Sequence, residues 1–412
     1  MNPARVIIEG LRSGVPYRQT AESMTIGRED NLKALLSLME AVAAGRRPKL
    51  FGQIIRAQYG EGKTHLMHAL ASLAWEHNWV VSMVSISKES PLDRLDYLYP
   101  KLTMNALRPG SNQPGLEPIV LEALAEPHLL AESRGIDLSE RTRAILDNLV
   151  RQNVGMDELL DDLHGRFMPL AALKKIHREN FSRPLKIAST RTRDEIMPYL
   201  ALIDWLVGRA GYQGWLILLD EVELIGKFGR GGRARSYANI GRLMRGVGER
   251  TLSVWAVAGN FQNDVIMARQ DLDGAPEWLS LRPKEAPDAD LARLAVDELS
   301  AARPLSRPTA SQIREVMERI YDIHQDAYGW VAPVPRDHFY DVVRERVGTM
   351  DARLRTWVRL AISIMDLWFQ YGREAIELRA GELLEVDLSE DQERFDQNDE
   401  PQDLIERRRL FE

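Results

Sequence analysis

The stretch QIIRAQYGEGKTHLMHAL, residues 53–70, sets two glycines, a lysine and a threonine between an apolar run and an amphipathic one. KLFGQIIRAQ, 49–58, reads as a strand, and KTHLMHALASLAWEHN, from Lys63 onward, as a helix. A short bendable loop between the two, ending in Lys-Thr, has a physical use. A polyphosphate carries several negative charges and is held best by backbone N–H groups of a tightly curled chain. The positive end of the following helix adds to the attraction. Gly60 and Gly62 permit the curl, with Glu61 between them and His65 just after. Lys63 is placed to reach the β- and γ-phosphates, and Thr64 to hold Mg²⁺. The spacing is G-x-x-x-x-G-K-[ST], with Ala57 standing at its first position. The competing reading is a chance Gly-Lys-Thr turn.

A phosphate loop predicts a second element, a buried strand ending in an acid that orients the metal. GWLILLDEVELIG, 214–226, supplies it: five apolar residues, Trp215 to Leu219, precede Asp220 and Glu221. Asp220 is expected to bind Mg²⁺ and Glu221 to polarise the attacking water. Alone, an Asp-Glu strand end is weak evidence; beside the loop it favours hydrolysis over mere binding. A third element is Asn260, at the end of LSVWAVAGN, 252–260. If that strand lies between the other two, the amide is expected to face the γ-phosphate and the lytic water. Otherwise Gly259-Asn260 is a strand-ending turn.

Composition narrows the alternatives. The chain has 412 residues, no cysteine and a formal net charge of -7. Disulfides, thiol catalysis and cysteine-ligated zinc are excluded. The eight histidines show no HExxH spacing. Net acidity confines any nucleic-acid contact to a local patch. No apolar run suits a membrane span or a signal peptide, so the expectation is a cytoplasmic protein with no membrane contact.

The remaining chain divides by pattern. Residues 1–25 hold a short amphipathic helix at 2–14, and IGREDNLKALLSLMEAVAAG, 26–45, a second. The core is expected over 26–290, with WVVSMVSISK, 79–88, as the next strand after the loop helix. Residues 104–190 offer short helices and no strand, hence a helical insertion. A helix follows at 193–211, with Pro198 expected to bend it. KFGRGGRARS, 227–236, reads as a flexible basic loop whose Lys227, Arg230, Arg233 and Arg235 suit DNA phosphates. Residues 291–380 are helical, a lid or partner domain. Residues 381–412 are acidic and read as a disordered tail, or as a docking peptide anchored by Leu404, Ile405, Leu410 and Phe411.

In this order, the phosphate loop, the Asp-Glu strand, the polar strand end and the helical lid resemble the AAA+ ATPases. That resemblance implies an α/β fold, a doubly wound parallel-sheet P-loop core with a helical insertion and a C-terminal helical lid. IGRED, 26–30, resembles the motif of the origin-recognition-like branch, which implies that Ile26, Gly27 and Arg28 line the adenine pocket. Glu29 is equally suited to cap the helix that follows. The stretches VIIEGLRSGVPYR, IGRED, YGEGKTHL and LLDEVELI are together similar to the BrxD family of BREX phage-defence systems. This implies an Mg²⁺-dependent ATPase working with a helicase or other defence proteins on DNA, and a possible homo-oligomer. AAA+ sites are completed by arginines: Arg282 suits a finger offered to a neighbour, and Arg355 a lid arginine, with Arg353 its rival and Arg359 one turn on. Two alternatives stay open, a nucleotide-dependent switch that hardly turns over and a DNA loader.

Overall fold

The strand GWLILLD is apolar from Trp215 to Leu219, up to its closing Asp220, because it is central in a sheet covered on both faces. In the computed structural model all seven residues of this strand are buried. The structure describes residues 2–13, 21, 23–126, 129–348 and 352–372, with the side chains of 130 and 131 left aside. The acidic stretch 381–412 lies outside the described residues.

Five strands form one sheet: β1 Gly52–Ala57, β2 Trp79–Ser85, β3 Ala106–Leu107, β4 Gly214–Asp220 and β5 Thr251–Ala258, in the order β1-β5-β4-β2-β3. The β2–β4 and β4–β5 pairs are parallel, with Val84 opposite Leu219 and Leu218 opposite Val254. β5 thus lies between the strand that feeds the phosphate loop and the strand that ends in Asp220, the order expected for Asn260. Glycines allow close strand contacts here. A Cβ on Gly52 would sit 2.2 Å from the carbonyl oxygen of Ser253.

The described chain divides into two compact units. One takes residues 34–54 and 73–302, and holds most of the sheet and the larger apolar core. The other takes the chain up to Lys33, residues 55–72 and the chain from Arg303 onward. Its core joins the helix Pro3–Ser13 to the helices Ala310–Tyr328, Arg336–Val347 and Leu354–Tyr371, through Ile7, Met317, Phe339, Trp357 and Trp368 among others. There, Pro304 bridges Arg56 in parallel fashion, and the Leu305 N–H donates to the Arg56 carbonyl at 2.7 Å. This extends hydrogen bonding beyond the outer edge of β1.

Two expectations are corrected. The stretch 104–190 is not free of strand: Ala106 and Leu107 pair antiparallel with Ser82 and Val81. Two residues are too few to show a period. The segment 227–236 is not a flexible loop. It contributes the end of a 3-10 turn, Val222–Lys227, and the start of the helix Arg230–Met244. Its glycines serve packing: a Cβ on Gly231 would lie 2.6 Å from Trp278, and one on Gly232 2.9 Å from Phe228. Pro198 lies inside the continuous helix Thr192–Arg209.

Candidate nucleotide-binding site

In the smaller unit, β1 delivers a fully buried Ala57 to the loop, and its φ is not in the left-handed region. A Cβ at this position therefore costs no backbone strain, which is why alanine serves in place of glycine. Gly60 and Gly62 do need glycine, with φ of +78° and +89°. Their N–H groups donate to nothing among the described residues. A loop with open amide donors, running into the N-terminus of the helix Lys63–Glu76, is suited to an anion. Lys63 opens that helix and is largely buried, with Thr64 next to it.

The loop is braced from below by charged groups. The Glu61 carboxylate folds back to accept the Gln58 N–H at 2.8 Å, with Arg307 3.7 Å away. Arg28 is buried and donates to the carbonyls of Glu61 at 3.0 Å and Ser306 at 2.8 Å. Burial lowers the pKa of this guanidinium from its ordinary value. Arg28 thus ties the loop to the segment that follows Arg303. Gly27 (φ +68°) presents its N–H to Glu29 Oε1 at 3.1 Å, and Ile26 packs on the helical core. The His65 ring contacts Thr25 Oγ1 at 3.0 Å, and that hydroxyl already donates to the Ala21 carbonyl at 2.7 Å. The imidazole therefore donates from Nε2. Burial, then the charges of His68 and Arg28, push its pKa down to about 4.

The helix Leu354–Tyr371 begins over the same loop. The Arg355 N–H approaches the Gly60 carbonyl at 3.4 Å, and its Nη1 donates to the Tyr59 hydroxyl at 2.7 Å. A Cβ on Gly60 would lie 3.3 Å from Arg353 Cδ. Of the three arginines weighed for the lid, Arg353 and Arg355 thus reach this loop. Tyr59 and Arg307 were not legible as site residues, because nothing in a sequence marks which tyrosine or arginine folds onto a loop.

In the larger unit, Asp220 ends β4 almost wholly buried, and its Oδ1 accepts the Glu221 N–H at 2.9 Å. Glu221 has φ +60°, left-handed backbone that a side chain enters at a cost of roughly 1–2 kcal/mol. Strain at a residue beside a buried strand end points to a functional constraint. Glu223 Oε2 accepts the Ala258 N–H at 3.0 Å, so it joins the turn after Glu221 to the end of β5. Asn260 donates its amide to Asp264, ahead of a π-helical turn, Gln262–Met267. Arg282 is exposed, stacked 3.4 Å over Trp278 and hydrogen-bonded to its carbonyl. Of the four cations in 227–235, Arg233 is buried against Asp271 at 2.7 Å, and Arg235 lies within 4 Å of Asp93 and Glu285.

No group of three or more potential metal-ligating side chains gathers among the described residues. No helix among them is long and apolar enough to cross a membrane. No curated protein and no solved structure matches the chain. The family model described as BREX system ATP-binding protein BrxC/D matches residues 2–159 and 174–375. With its open phosphate loop matched together with both strands that end in polar residues, the chain belongs to this family of ATP-binding proteins of the BREX defence system.

Proposed function

We propose that the chain is an AAA+-type ATPase that hydrolyses ATP with Mg²⁺ and couples turnover to conformational change in a phage-defence complex on DNA. The observation that carries this reading is the phosphate loop, with open amide donors at Gly60 and Gly62 and with Arg355 against Gly60 and Tyr59. A helix that touches the loop through arginines is placed to sense whether the phosphates are present. Within the BrxC/D family we place the chain with BrxD, and more broadly with the origin-recognition-like branch, on IGRED and the N-terminal helix.

ATP supplies the reacting phosphoryl group, and the chain's residues position it. Loop amides and Lys63 would neutralise the phosphates, while Thr64 and Asp220 would hold Mg²⁺. Such an ion keeps several waters and needs only one or two protein ligands. Glu221 would orient the attacking water, Asn260 would turn from Asp264 toward the γ-phosphate, and Arg355 would exchange Tyr59 for it. Arg282 would act on a neighbouring subunit's nucleotide, worth about 10³–10⁵ in rate for such fingers. The internal pairing of Arg233 and Arg235 leaves Lys227 and Arg230 as the exposed cations of the basic segment. DNA contact is therefore proposed for those two.

The test is a pair of substitutions. Lys63→Ala is expected to abolish ATP binding in equilibrium titrations. Glu221→Gln is expected to keep binding while turnover falls at least a hundredfold. Undiminished ATP affinity in the Lys63 variant would overturn the site.

A further inference from the structure

A cavity of about 250 Å³ lies far along the chain from the phosphate loop, in the helical region of the larger unit. Arg141, Phe167, Leu170, Ser189, Thr190 and Glu195 are among its lining residues. It is smaller than the ~300–1,000 Å³ of sites for drug-sized ligands, so it suits one flat ring system.

Its polar groups are unusually placed. Glu195 is only 3% exposed, and its Oε2 receives the hydroxyls of Ser139 and Thr142. Its Oε1 has no hydrogen-bond partner among the described residues. Arg141 spends Nε on the Tyr199 hydroxyl at 3.1 Å and Nη2 on Asp162 at 2.6 Å and the Met168 carbonyl at 2.9 Å. Its Nη1 has no partner among the described residues. A carboxylate oxygen of the buried Glu195 and a guanidinium nitrogen of Arg141, both open to the cavity and without partners among the described residues, line one small space.

The charges decide what could match them. Asp162 already neutralises Arg141, so an anionic guest gains no net cation. Glu195 lies in the first turn of the helix Thr192–Arg209, where the helix end offsets its charge. A cationic guest would meet Arg141 Nη1. The complement is a neutral molecule with a donor beside an acceptor and a flat face to lie against Phe167. Nucleobases carry donors and acceptors side by side on their edges, and they stack on aromatic rings.

We propose that this cavity binds a nucleobase, with Glu195 accepting from its donor, Arg141 donating to its acceptor and Phe167 as the stacking wall. The base could belong to a free nucleoside or to a single strand.

The full chain would be titrated calorimetrically with cytidine, uridine and guanosine, and with single-stranded homopolymers of the same bases. Saturable binding of at least one base is expected. Binding of nucleosides as well as oligomers would assign a small-molecule site; binding of oligomers alone would assign a strand site. Glu195→Gln should weaken it at least tenfold. Ser189→Trp, in an exposed segment outside helix and strand, should fill the cavity and abolish it without lowering the melting temperature or changing ATP binding. No binding by any probe would overturn the proposal, as would undiminished binding by the Ser189 variant; where Glu195→Gln does not fold, the Ser189 variant decides.

Discussion

Glu221 shows what a single residue pays for its position. It stands in left-handed backbone directly after a buried strand, where glycine or asparagine would sit more comfortably. Glu221→Gly should therefore raise stability by up to about 1 kcal/mol while abolishing ATP turnover. Denaturant unfolding measured beside the ATPase rate checks both. A loss of stability would mean that the glutamate's own contacts hold the turn. His65 carries a pH signature. Its folded pKa of about 4 lies below the ordinary value of 6.5. The stability that comes from keeping it neutral is present in full above about pH 6.5 and is lost as pH falls toward 4. The full shift corresponds to roughly 3 kcal/mol. Thermal melts of the wild type and of His65→Gln at pH 7.5 and pH 4.5 should show a smaller acid-induced drop in the variant. Equal drops would remove His65 from the explanation. Lys63, Thr64, Asp220 and Glu221 stand out as candidates in the sequence because their chemistry is written in adjacent letters. The left-handed backbone at Glu221 and the depressed His65 pKa do not, because a backbone angle and the burial of a ring are set by the fold.

Among the elements, the helix Arg230–Met244 is the most instructive, since RGGRARS reads as a loop by propensity. Two glycines early in a helix cost roughly 1 kcal/mol each. The close approach they allow offsets that cost: Gly231 admits Trp278, and Gly241 comes so near the helix Ala289–Ala301 that a Cβ would lie 2.0 Å from the Leu291 carbonyl. Gly231→Ala, favourable by propensity alone, should instead destabilise by about 1–3 kcal/mol through overpacking. An unchanged or raised unfolding midpoint would refute the packing account. Glu223 acts at the same scale, because its hydrogen bond joins the turns that follow β4 and β5. Glu223→Gln keeps an acceptor at that place and should leave turnover within a few fold of wild type. Glu223→Ala should lower kcat more than ATP affinity. An equal effect of both variants would argue against this positioning role.

Over the whole molecule, the candidate residues are divided between the two compact units. The phosphate loop and the arginines at 353 and 355 belong to one, and Asp220, Glu221 and Asn260 to the other. The chain passes between the units after Lys33, Ile54, Ser72 and Ala302. Arg282, the proposed finger, is exposed and stacked on Trp278. ATP turnover per chain should therefore rise with protein concentration and saturate, and Arg282→Ala should flatten that rise. A rate per chain independent of concentration would support a switch that works alone.

By itself the sequence determined that an α/β core with buried strands carries a glycine-rich Lys-Thr loop between its first strand and a helix, because apolar runs and glycine-rich turns are local patterns with local causes. The order of the strands, with β5 between β1 and β4, came from the tertiary structure. So did the bracing of the loop by Arg28 and Arg355, the burial of Arg233 and the cavity around Glu195. Each of these depends on side chains far apart in the chain meeting in a dry interior, where charges and hydrogen-bonding groups must find partners and glycine marks close contact as readily as flexibility.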